Sequence, residues 1–209
     1  MKNIQFFANR KDDTHCYQAA IKMVLKYFFP KRTFALRQLE EMTGFKKGLW
    51  TWPMRGVLSM LDLGFTVRDI EDFDYAAVGR DAKTYLRTIY GEQAAEEQIA
   101  HSDISETERA ANEFARRVQT ERRIPDKKDI VTFLNDGYLV LCLVNSRVLN
   151  GKRGYVGHMV VLYRQSSSSV WLHDPGLPPR PNRRVSWKVF ERAWGFPDKK
   201  AKNILAFRL

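Results

Sequence analysis

Ala20, Met23, Val24, Tyr27 and Phe28 recur at the three-to-four-residue spacing that lines one face of an α-helix, and Pro30 stops the run. The pattern predicts a helix over residues 14–29, with Cys16 in its first turn. Leu36, Leu39 and Met42 predict a short second helix over 35–43, closed by Gly44. Thr51 and Pro53 suit the opening of a third, which carries Met54, Val57, Leu58 and Leu61 and ends at Gly64. Residues 65–70 then read as a short strand.

The stretch 72–125 has a different character, rich in Ala, Glu, Gln and Arg. Ser105-Glu106-Thr107-Glu108 has the form of a capping box. Residues 91–112 hold six acidic and one basic residue, whereas 114–128 hold six basic and two acidic. A polarised helical insertion is expected, serving as a lid or docking surface or simply as a solvated face. After Asp126 a helix carries Ile130, Phe133 and Leu134 and stops at Gly137. Strands follow at 138–145, 157–164 and 170–174, joined by the polar turn 165–169. A Pro-rich loop over 175–181 leads to a helix near 186–194 and a last strand at 204–208. Helices first and antiparallel strands later predict a single α+β domain over 1–209.

A chain of 209 residues with 44% hydrophobic and 12% aromatic residues can bury a substantial core and is not disordered. The net charge of +11 favours acidic partners through long-range attraction. Between Arg180 and Lys202 eight basic residues accompany two acidic ones, with Trp187 and Trp194 interleaved, but no recognised nucleic-acid motif accompanies them. The amino-terminal Met1-Lys2-Asn3-Ile4-Gln5-Phe6-Phe7 lacks the apolar length of a signal peptide, and no stretch approaches a membrane span of about 20 apolar residues. Two cysteines do not make a disulfide framework, so a reducing cytoplasm is expected. Cys142 lies in the apolar run Leu139–Val144 and reads as a core residue. The four histidines (15, 101, 158 and 173) are too scattered for a metal site, and no phosphate loop is present, so no metal or cofactor is expected.

Candidate chemistry lies in the order Cys16, His158, Asp174. A cysteine at a helix start feels the positive end of the helix dipole, which favours its thiolate. An imidazole within reach holds the thiol proton, and a carboxylate fixes the imidazole's tautomer. Singly, each residue has an ordinary explanation: a structural cysteine, a hydrogen-bonded histidine, and a turn former in Asp174-Pro175-Gly176. The hairpin over 157–174 changes the weighting. At roughly 3.3 Å per strand residue it returns Asp174 close to the level of His158.

Cys16-Tyr17-Gln18-Ala19-Ala20-Ile21-Lys22-Met23, Gly157-His158 and His173-Asp174-Pro175-Gly176 resemble the motifs of papain-like peptidases that cleave double-glycine leader peptides. The chain looks closest to stand-alone bacterial relatives of that family. Lys47-Gly48-Leu49-Trp50-Thr51 and Leu63-Gly64-Phe65 are similar to its intervening segments, and the resemblance covers about 5–70 and 129–195. It implies a papain-like fold, a Cys16–His158–Asp174 triad and a peptide or small amide substrate. The family's oxyanion glutamine, six residues before the cysteine, would align with Arg10. Asn9 is the preferred donor here, with Gln5 and Arg10 as alternatives, beside the backbone N–H of Cys16. Tyr17 stands where a small residue commonly follows the cysteine, and is expected to narrow the cleft or redirect it. Trp50, Trp52 and Tyr155 are candidates to line it, with aromatic core packing expected for at least one of the tryptophans. With neither a membrane span nor a Walker motif, coupled export is not expected. The alternatives are a papain-like module that binds peptides without turnover and, further off, a basic nucleic-acid-binding protein.

Overall fold

The computed structural model describes residues 4–209, so the reading of the amino-terminal segment lies partly outside the described residues. Three helices come first: α1 (Cys16–Phe28), α2 (Leu36–Thr43) and α3 (Pro53–Asp62). Strand β1 (Thr66–Glu71) precedes α4 (Tyr75–Arg80), α5 (Ala82–Tyr90), α6 (Glu92–Ala100), α7 (Ile104–Arg117) and β2 (Gln119–Glu121). Then come α8 (Lys127–Asn135), β3 (Leu139–Asn145), α9 (Ser146–Leu149), β4 (Gly157–Gln165), β5 (Ser169–Asp174), β6 (Arg180–Ser186), α10 (Trp187–Trp194) and β7 (Asn203–Arg208).

The strands form one sheet in the order β2-β1-β7-β3-β4-β5-β6. Side-chain alternation along β3 and β4 divides the core between its two faces. Leu139, Leu141, Met159 and Val161 join residues of α1, α3, α4 and α7 in one cluster. Val140, Cys142, Val144, Val160 and Leu162 join α8, α9 and α10 in the other. Cys142 is fully buried, as its run predicts. On α1, Ile21, Met23, Val24 and Leu25 are fully buried, each worth about 1.5–3 kcal/mol of apolar transfer. That burial anchors the helix carrying Cys16 against β4.

The α+β architecture stands, with local corrections. The loop expected over 175–181 gives way to β6 from Arg180, because Pro and Arg suit a sheet edge, where no partner strand needs the proline's missing N–H. Strand β2, which pairs parallel with β1, falls inside the stretch 72–125 that was expected to be helical. The short α9 was also unforeseen; the Asn145 side chain caps it, accepting from the N–H groups of Arg147 and Val148. The capping box expected at Ser105 does not form. Asp103 caps α7 instead, its carboxylate accepting the Glu106 N–H while it also pairs with Lys46. A capping box does open α8, where Asp126 and Asp129 bond reciprocally. Among the described residues no helix is long and apolar enough to cross a membrane.

Candidate active site

Helix α1 begins at Cys16 with no side-chain cap. The preceding His15 is buried, and its ring is committed to Thr14 Oγ1 at 2.7 Å and Glu40 Oε1 at 2.8 Å. The first-turn N–H groups, that of Cys16 among them, therefore point away from the helix without intrahelical acceptors. The Cys16 side chain is half-buried.

His158 opens β4 and is buried. Its Nε2 lies 2.8 Å from Asp174 Oδ1. This contact leaves Nδ1 as the ring nitrogen that can face a thiol, and interaction with Cys16 helps raise the ring's proton affinity. Burial disfavours the imidazolium, yet the hydrogen bonds to Asp174 and Cys16 outweigh it and push His158 up to about 10. Burial likewise works against the Asp174 carboxylate. The hydrogen bond and charge of His158, with help from Arg183 and the Gly176 N–H, hold it below the usual range. A bulge between Leu162 and Arg164 adjusts the β4–β5 register that brings the strands' ends together.

Asn9 ties the two halves of the site. Its backbone N–H donates to Pro175 O at 2.8 Å, just beyond Asp174. Its side-chain oxygen accepts from His15 N at 2.7 Å and Arg10 N at 2.8 Å, and its amide donates to Asp13 Oδ1 at 2.7 Å. One amide hydrogen is thus engaged in shaping the loop, leaving one for another acceptor. Arg10 does not point inward: its side chain is half-exposed and lies 3.8 Å from Asp12. Gln5 is exposed.

The remaining expected site residues divide. Tyr17 does not narrow a cleft. Its side chain is buried in the α1–α3 seam and its hydroxyl donates to Pro53 O at 2.9 Å, because the residue after Cys16 faces the core. Trp50 is exposed but stacks on His101 at 4.9 Å, and its N–H donates to His101 O. The Trp52 indole donates to Ser102 Oγ at 2.8 Å. Both flank a cavity of about 30 Å³ between α3 and α7, lined also by Lys46, Arg55 and Asp103 but by none of Cys16, His158 and Asp174. That space suits about one water. Tyr155 lies beside the site: it is exposed, stacks at 6.1 Å on Phe196, and its hydroxyl overhangs Gly157, next to His158.

Two site features were missed. Gly176 is packed so closely that a methyl there would sit 3.1 Å from both Asp174 Oδ1 and His158 Nε2. Arg183 donates to Asp174 Oδ2 at 2.7 Å. A reading of β6 as a strand would have placed Arg183 beside β5, but its basic, proline-containing sequence hid it. Besides Arg183, two other basic residues of the stretch are engaged internally. Arg184 bonds to Ser169 Oγ and lies over Trp171, and Lys202 lies over Trp194. His173, by contrast with His158, is a structural histidine. Its Nε2 bonds to Ile4 O and its Nδ1 to Asn182 N, and burial lowers its proton affinity. Among the described residues no three His, Cys, Asp or Glu side chains are grouped to hold a metal ion.

The helices and the mixed sheet that carry Cys16, His158 and Asp174 form an α+β architecture. The solved structures it resembles are of that kind. The peptidase domain of Streptococcus ComA, a bifunctional ABC transporter involved in quorum sensing, is similar with a TM-score of 0.52 and 13% identity, over 98% of this chain and 98% of that one. A Bacillus anthracis protein assigned as a C39-like peptidase gives a TM-score of 0.53 and 13% identity, over 99% of this chain and 95% of that one. The chain has the papain-like fold of C39 peptidase domains. No family model matches the chain, and no curated protein is similar to it in sequence.

Proposed function

We propose that this protein is a cysteine hydrolase cutting an amide bond in a peptide or small amide, with Cys16 as nucleophile, His158 as general acid and base, and Asp174 orienting His158. The observation that carries the reading is the buried His158 Nε2–Asp174 Oδ1 bond of 2.8 Å, and the proton affinity that Asp174 and Cys16 together raise on that ring supports it. The working unit is the whole chain, with the segment 72–125 packed into the same core.

In this mechanism the Cys16 thiolate attacks the carbonyl carbon and a C–S bond forms. The oxyanion takes the Cys16 N–H and the remaining Asn9 amide hydrogen. His158 then gives its proton to the leaving amine as the C–N bond breaks. Water attacks the thioester while His158 takes its proton, and the acid leaves as the thiolate is restored.

The second reading is a module that binds peptides without turnover. It is favoured by the engagement of Asn9 with Asp13, which weakens the second oxyanion donor. Incubation with a defined peptide pool, read by mass spectrometry, separates the two. Products from wild type that disappear with Cys16→Ala support hydrolysis. Peptide retention with no products from either protein, or equal products from both, overturns it.

A further inference from the structure

We propose that Arg183 is a positioning residue for the site, acting through Asp174 to hold its carboxylate in the orientation that His158 needs. The inference rests on the Cys16–His158–Asp174 reading and adds a fourth member to it.

Asp174 is 3% exposed, and a carboxylate so deeply buried requires compensation. Its Oδ1 is used by His158 at 2.8 Å and by the Gly176 N–H at 3.1 Å. Its Oδ2 is used by Arg183 Nη1 at 2.7 Å. The guanidinium is itself held at a second point, where Nη2 donates to Leu149 O at 2.7 Å at the end of α9. A planar group fixed at both ends cannot turn, so it fixes the plane of the carboxylate it holds. The charged groups facing the carboxylate are His158 from β4 and Arg183 from β6, with Cys16 of α1 beyond the imidazole. Arg180, opposite Asp174 in the β5–β6 register, is exposed.

The arrangement matters most when His158 is neutral. Once the imidazolium has given its proton to a leaving group, Asp174 loses one of its two countercharges. Arg183 keeps the carboxylate paired through that step, so Asp174 holds His158 in one orientation in both protonation states. Without Arg183, Oδ2 is a buried acceptor with no partner and the carboxylate can rotate away from Nε2.

The test measures iodoacetamide alkylation of Cys16 near pH 6, which needs no identified substrate, in wild type, Arg183→Met, Asp174→Asn and the double variant. Arg183→Met should slow labelling about tenfold, the value of one charge-assisted hydrogen bond. The double variant should label no more slowly than Asp174→Asn alone, because Arg183 acts only through the Asp174 charge. Wild-type labelling in folded Arg183→Met, or losses that multiply in the double variant, would overturn the proposal. If Arg183→Met does not fold, Arg183→Lys with and without Asp174→Asn is judged by the same criterion. If His158→Ala and Asp174→Asn both label like wild type, the triad reading fails, an outcome distinct from failure of the Arg183 proposal.

Discussion

Gly56 on α3 exists to admit Tyr17, and replacing it with alanine should cost more than any other single methyl in this seam. A methyl at position 56 would lie 2.3 Å from the Tyr17 hydroxyl and 2.8 Å from two of its ring carbons. Contacts that short force the ring to move, at about 1–3 kcal/mol for overpacking. The displaced hydroxyl also loses its bond to Pro53 O, worth roughly 0.5–1.5 kcal/mol. Against this, alanine is favoured over glycine inside a helix by about 1 kcal/mol. The expected net destabilisation of Gly56→Ala is therefore about 1–3 kcal/mol. Urea unfolding of wild type, Gly56→Ala, Tyr17→Ala and the double variant measures it as a cycle. Tyr17→Ala alone leaves a cavity and should cost about 3–5 kcal/mol, but in that background Gly56→Ala should be neutral or stabilising. An equal cost for Gly56→Ala with and without Tyr17 would refute the reasoning. Because Tyr17 directly follows Cys16, the clash should also slow Cys16 alkylation in the folded variant.

Gly176→Ala should leave the fold intact by circular dichroism and lower kcat by about tenfold with KM little changed, since its methyl presses on the His158–Asp174 contact and not on bound substrate. Asp69 is 1% exposed, and burial and then the Glu71 charge raise its pKa. Being protonated at low pH and forced to ionise only as pH rises, it destabilises the fold increasingly above its unfolded value. Asp69→Asn should therefore gain about 1–3 kcal/mol in urea unfolding at pH 8 and little at pH 4. His158 shifts stability in the same direction with pH, over a higher window: raised from 6.5 to about 10, it contributes stability fully below pH 6.5 and loses it as pH rises through 10. The stability difference between wild type and His158→Gln should shrink over that window, and a constant difference from pH 6 to 10 would contradict the assignment.

Cys16, His158 and Asp174 were legible because each stands at the start or end of an element whose periodicity is plain. The hairpin needed only strand geometry to bring the last two together. What the pattern hid depended on partners far along the chain. Tyr17 looked free because its complement, Gly56, is 39 positions away and carries no side chain to announce itself. Trp50 and Trp52 were read as candidates for the cleft or, for at least one of them, the core. Their partners His101 and Ser102 sit in a segment whose docking no local pattern reveals. Strand β6 was masked by its own edge protection, Pro181 and a row of arginines, and with it went Arg183. At α7, Asp103 outcompeted Ser105 as cap because its carboxylate also pairs with Lys46.

The central claim is that His158 activates Cys16, and Cys142 is the internal control for it. Cys142 is fully buried, with its thiol pushed well up by that burial, so it should stay unlabelled in the folded protein. Limiting iodoacetamide near pH 6, followed by peptide mapping, should modify Cys16 alone, and faster than a free model thiol. His158→Ala should remove that advantage. Labelling of Cys16 at the rate of the model thiol, unchanged by His158→Ala, would contradict the account.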